Sequence, residues 1–225
     1  MKKIICFALL LTLISSTCFA LTPDEAASDI GKYGIMSGFP DGTLRLEQDV
    51  TRAQMVKMLV TALGETDYSV RPFDFIDVPN SHWAYQYIQY ARANNIVGGF
   101  PDGTFKPDDN VTREQAVKMV ICALQYDKYE LSNRLNKPEL VYPQDYIHLA
   151  SKINIIVPAE YGDGKQNATR GFVASVLSRA LDVPLPYDPN PNGYFSDGTN
   201  VDPRWKLADG LNGRELKTWR IALEE

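Results

Sequence analysis

GFPDGTFKPDDNVTREQ, residues 99–115, restates GFPDGTLRLEQDVTRAQ, residues 38–54. Working outward, residues 35–63 and 96–124 align without gaps and are identical at more than half of their positions. A third, weaker copy follows. DYIHLASKINII (145–156) tracks QYIQYARANNIV (86–97), and Thr169-Arg170 tracks Thr112-Arg113. Self-similarity at a period of this size marks a repeat architecture, in which no copy buries its apolar face alone.

Each copy reads as helix, loop, helix. The first helix of the second copy carries Ala84, Tyr87, Ile88 and Ala91 at i, i+3, i+4 and i+7, the spacing of one helical face. The second helices repeat the pattern at Val56, Leu59, Val60 and Leu63, at Val117, Val120, Ile121 and Leu124, and at Val173, Val176, Leu177 and Ala180. Pro-Asp-Gly at 40–42 and 101–103 predicts a tight turn, since Pro presets φ, Asp bonds the local backbone and Gly takes positive φ. Thr51 with Gln54, and Thr112 with Gln115, predict capping boxes; Thr169 is followed by Phe172, which keeps half of one.

These signals divide the chain into a leader at 1–20, repeats at 21–66, 73–127 and 138–185, and a Pro- and Gly-rich tail at 186–225. The end of the tail, WKLADGLNGRELKTWRIALEE, reads as a short strand pair or a frayed helix. The leader begins with Lys2 and Lys3, continues with an apolar run from Ile4 to Ile14, and closes on Cys18-Phe19-Ala20. That is the layout of a secretory signal peptide, too short to stay as a membrane anchor. Ser15, three residues before Cys18, departs from a lipoprotein pattern, so the mature chain is expected to start near Leu21, with no membrane span.

The full chain has 23 basic and 28 acidic residues. Removing Lys2 and Lys3 takes the net charge to about −7, which argues against nucleic acid or anionic lipid as a partner. Cys6 and Cys18 leave with the leader. Cys122 is then a single cysteine in an apolar stretch, read as a buried, inert thiol.

Arg52, Arg113 and Arg170 each follow a capping Thr, where the helix dipole disfavours a cation by about 0.3–1 kcal/mol. Packing of the long stem, or pairing with a carboxylate such as Asp49, would account for one such arginine. Three at one repeat position favour a functional reading. Free N–H groups at a helix start with a guanidinium beside them would hold a carboxylate or phosphate. In the second repeat Asp77 precedes a turn and Trp83 opens the first helix, as either a platform for a sugar face or a core anchor. His82 reads as a turn or cap residue, and His148 stands alone on a helix.

Phe75–Leu124 resembles a nearly complete S-layer homology (SLH) motif: aromatic-x-Asp-Val, His-Trp-Ala, Phe-Pro-Asp-Gly-Thr-Phe-x-Pro, then Thr-Arg. The resemblance implies a mainly α fold, with three tandem helix-loop-helix repeats in a pseudo-threefold, three-pronged bundle and an irregular tail. It also implies a non-enzymatic cell-surface protein that needs no cofactor and adheres to anionic, pyruvylated secondary cell-wall polysaccharide in grooves between repeats. Carried onto this sequence, the ligand-binding residues are Asp77, Trp83, Gly99 and Arg113, with Gly38 and Arg52 from the first repeat. Arg170 and Tyr142 are expected to contribute less, because the third repeat lacks the early Asp and has Tyr142 where Trp83 aligns. Thr22 stands there in the first repeat.

Two other chemistries fit poorly. The Asp-Gly loops lack the alternating oxygen ligands of a calcium loop, and Asp102 belongs to a turn rather than to a pair of hydrolytic carboxylates. The serious alternative is an interaction protein of the surface layer, docking an envelope protein through its tail or its third repeat.

Overall fold

The computed structural model describes residues 21–64, 75–132, 139–185 and 218–224. The expected leader and most of the tail lie outside the described residues. The described chain is helical: α1 Pro23–Gly31, α2 Arg52–Ala62, α3 Tyr85–Ala93, α4 Arg113–Ala123, α5 Tyr126–Ser132, α6 Gln144–Lys152, α7 Pro158–Tyr161, α8 Arg170–Leu181. A last helix, α9, spans Trp219–Glu224.

The local signals act as their chemistry predicts. Thr51 and Thr112 close reciprocal capping boxes with Gln54 and Gln115, and Thr169 keeps only its half, accepting the Phe172 N–H. Thr22 forms a further box with Glu25, with Pro23 at the first helical position. In the turns, Asp41 and Asp102 accept the N–H and hydroxyl of Thr43 and Thr104, and Gly42 and Gly103 have φ of 80° and 83°. The first helices end on Gly34, Asn95 and Asn154, all with positive φ, at equivalent places in the three repeats.

The helices do not pair within their own repeats. α2, α4 and α8 touch one another at the centre, and each carries on its outer side the first helix of the next repeat: α3 on α2, α6 on α4, α1 on α8. The arrangement is therefore a closed cycle. Three backbone bonds tie it at the axis: Val50 N–H donates to Ala168 O, Ala168 N–H to Val111 O, and Val111 N–H to Val50 O, at 3.0, 2.8 and 2.9 Å. Val50, Val111 and Ala168 are fully buried, as are Leu59, Ile88, Val120, Leu124 and Leu177. Cys122 is buried too, and burial pushes its thiol up to about 12, which keeps it protonated and inert.

The cycle corrects one expectation. The helix-start N–H groups are not free. Arg52 N–H donates to Asp109 O and Ala53 N–H to Pro107 O; Arg113 and Glu114 reach Gln166 and Gly164; Arg170 and Gly171 reach Gln48 and Leu46. With the next amide held by the Thr cap, each helix start is spent on the neighbouring repeat's loop, so any anion site here rests on side chains.

The end of the tail is helical, and it is docked. Trp219 is buried, and Arg220 forks onto both oxygens of Asp29, at 2.9 Å each, while also pairing with Asp182. The Tyr33 hydroxyl donates to Glu224 at 2.7 Å. This clasp lies where α1 of the first repeat meets α8 of the third.

Candidate functional site

Because each central helix starts against the next repeat's loop, its first side chain must cross that boundary. Arg52 does so from α2. Its Nε donates to Phe105 O at 2.8 Å, and its guanidinium lies 4.6 and 5.0 Å from the Phe105 and Phe100 rings. The residue is only 6% exposed. Among the described residues no carboxylate lies within ion-pair distance of it. Burial lowers its pKa, opposed by the more distant charges of Asp109 and Asp77. A buried cation is costly unless paired; here a carbonyl and two ring faces offset part of that cost.

A cavity of about 200 Å³ opens beside Arg52, lined by Gly98, Gly99 and Phe100 of the second repeat, Gln115 and Lys118 of α4, and Tyr142 of the third. All three repeats build one groove. A side chain at Gly99 would put Cβ 2.4 Å from the Phe75 ring and 2.8 Å from Thr104 O, so the position needs glycine for close packing. Asp77 is spent on the loop: its two oxygens accept the N–H groups of Phe105 and Lys106 at 2.8 and 2.7 Å. It thereby holds the same Phe105 whose carbonyl takes Arg52. Tyr142 donates to Glu114 at 3.1 Å, and burial together with that carboxylate raises its pKa. Lys118 lies 5.2 Å from the Tyr142 and Tyr146 rings.

The other two arginines repeat the move one step round the cycle. Arg113 donates to Tyr161 O at 2.7 Å with its guanidinium 5.1 Å from Phe172. Gly162, at φ 65°, makes the room, since a Cβ there would lie 2.8 Å from the guanidinium. Arg113 lines a cavity of about 380 Å³ with Leu21, Thr22, Tyr161 and Phe172. Arg170 reaches the first repeat, with Nε on Leu44 O and Nη2 on Ser37 O, both at 2.8 Å. That puts it beside Gly38, the chain neighbour of Ser37; Trp83 is 58% exposed, with its ring stacked on His82. His82 is a turn residue, its Nδ1 taking the Ala84 N–H.

Of the eight residues singled out in the sequence, seven divide among three places between repeats, and Trp83 lies exposed on the surface. Arg52, Asp77, Gly99 and Tyr142 come together; Arg113 belongs to the second; Arg170 and Gly38 belong to the third. Arg113 and Gly99, both of the second repeat, line different cavities. Lys118, Gly162 and Phe172 were not singled out as site residues in the sequence. Lys118 had a signal, being identical to Lys57 at the same repeat position.

Residues 32–56 and 74–117 match the S-layer homology domain family. The chain carries an S-layer homology domain. It is 31% identical over 165 residues to the "Middle cell wall protein" of Brevibacillus brevis, covering 72% of this chain and 15% of that protein. Over 182 residues it is 34% identical to "Cell surface glycoprotein 1" of Acetivibrio thermocellus, covering 72% of this chain and 8% of that protein. The "Cellulosome-anchoring protein" of the same organism is 36% identical over 104 residues, covering 42% of this chain and 23% of that protein. The chain spans under a quarter of the length of these relatives. The SLH domain and its surface-protein relatives place it at the cell surface. Among the described residues, no group of three or more His, Cys, Asp or Glu is placed to hold a metal, and no helix is long and apolar enough to cross a membrane.

Proposed function

We propose that this SLH domain holds its chain to the bacterial wall by binding an acidic, pyruvylated wall polysaccharide, with the Arg52 groove as the primary site. The observation that carries the reading is Arg52 itself, nearly buried, without a carboxylate partner among the described residues, and lining a cavity that also holds Lys118. A pyruvate ketal carries the anion such a site lacks. Its carboxylate would take the outer N–H groups of Arg52 in a charge-assisted pair, with Lys118 as the second cation. Tyr142 offers a ring edge to the sugar, and the glycine backbone at 98–99 lets the ring approach. Relatives named for the cell wall, the cell surface and anchoring support the same reading. Binding of this kind needs no catalysis, and we assign none to the domain.

Calorimetric titration of the mature protein with the purified polysaccharide tests it. Lys118→Ala, which leaves every backbone tie of the cycle in place, should weaken binding several-fold, and Arg52→Lys should weaken it further because the planar fork is lost. Full affinity in both variants would remove the Arg52 groove as the site.

A further inference from the structure

The groove around Arg113 differs from the Arg52 groove in what lines it. In the Arg52 groove an aromatic side chain, Tyr142, lines the cavity; here the equivalent position belongs to Thr22, beside Leu21. The Thr22 hydroxyl offers nothing to a ligand, being engaged with the Glu25 carboxylate and the Glu25 N–H at the start of α1. A second difference lies on the central helix. Where α2 and α4 carry Lys57 and Lys118, α8 carries Ser175, which lines this cavity. Glu160 is paired with Arg179 at 2.7 Å, and Glu47 and Arg113 also line the cavity, so its lining side chains carry no net charge. Yet two polar atoms of the lining residues lack a partner. Arg113 Nε and the hydroxyl of Tyr161, a residue 9% exposed, are buried without a hydrogen bond in the described structure. Buried polar atoms of this kind are nearly always satisfied.

We propose that leader removal supplies a further cation: the α-ammonium group of Leu21, a residue that lines this cavity, acts with Arg113 to hold an acidic group of the wall glycan. The inference rests on the glycan reading above and on cleavage after Ala20. Hydrolysis of the Ala20–Leu21 peptide bond consumes one water, leaves the carboxylate on the departing leader and a protonated amine on Leu21. Before cleavage that nitrogen is an uncharged amide; afterwards it is an amine with an ordinary pKa of about 7.7–8.0, charged at neutral pH. The groove gains a net positive charge only in the exported chain, so ligand competence here follows processing.

The test follows two backbone amides by NMR during titration with the pyruvylated glycan, Gly162 for the Arg113 groove and Gly99 for the Arg52 groove. Three preparations are compared: the mature chain from Leu21, the same chain acetylated on its α-amine, and a chain with Gly-Ser ahead of Leu21. We expect acetylation and extension to weaken the affinity reported by Gly162 roughly fivefold, as for one charge contact at a half-open rim, and to leave that reported by Gly99 unchanged. An unchanged Gly162 affinity, with Gly99 still responding, would overturn the role of the amine and spare the glycan reading. A glycan that moves neither amide would overturn both. N-terminal sequencing of the exported protein that found another first residue would also overturn the proposal.

Discussion

Gly99 and Gly38 hold the same position in two repeats, but the space around them differs. A Cβ at Gly99 would meet the Phe75 ring at 2.4 Å, whereas one at Gly38 meets nothing closer than Thr43 O at 3.4 Å. Gly99→Ala should therefore destabilise the domain by about 1–3 kcal/mol, as overpacking does, and Gly38→Ala by much less. Paired denaturant titrations check this, and equal losses would mean that the Phe75 contact is unimportant. The arginines give the second prediction at this scale. Arg113→Ala should cost the charge-assisted pair in its groove, about 1.5–3 kcal/mol or more than tenfold in the affinity reported by Gly162. Arg170→Ala should hardly change glycan affinity, and a loss as large as that of an Arg52 variant would reverse this ranking of the grooves. The sequence made these side chains conspicuous because three arginines recur at one position. It hid what they touch: Arg52 donates to the Phe105 carbonyl, Arg113 to that of Tyr161, and Arg170 to those of Leu44 and Ser37. Each partner lies in another repeat, and no local spacing reports that.

At the scale of elements, the central helices are capped twice over. Thr112 takes the Gln115 N–H at 3.3 Å, while the Arg113 and Glu114 N–H groups go to Gln166 O and Gly164 O, both at 2.9 Å. Thr112→Ala should then cost about 1 kcal/mol, an ordinary cap loss, because the two inter-repeat bonds hold the helix start in place. Thermal unfolding checks this, and collapse of the fold would show that the caps and the inter-repeat bonds cannot act separately. Caps, turns and apolar stripes were legible in the sequence because each is decided within four residues. The pairing of helices was not, since α1 packs on α8, nearly the whole domain away, and an amphipathic stripe names no partner. For the same reason the second repeat, complete as a motif, does not build a groove by itself.

Across the described molecule, the joint between α1 and α8 carries an added fastener. Arg220 holds Asp29 of α1 and Asp182 at the end of α8, with Ser178 donating to Asp29 at 2.7 Å. The Arg220 guanidinium, and then Ser178, hold the Asp29 carboxyl down at about 2 against the opposing effect of burial. A carboxylate with a depressed pKa stabilises the fold fully above its ordinary value of about 3.9 and loses that contribution as pH falls towards the folded value. Arg220→Ala should thus cost about 2 kcal/mol near neutral pH, with the gap from the unaltered protein closing between about pH 4 and pH 2. Urea unfolding at several pH values measures it, and a gap independent of pH would assign the loss to packing of Trp219 instead. The central claim, that a cycle of three repeats builds anion-receiving grooves, is tested most directly by one calorimetric comparison: the mature protein titrated with pyruvylated wall polysaccharide and with the same polysaccharide stripped of its ketal. The account predicts binding that weakens by more than tenfold when the carboxylate is removed. Equal affinity for both glycans would contradict it, leaving the arginines as ties between repeats.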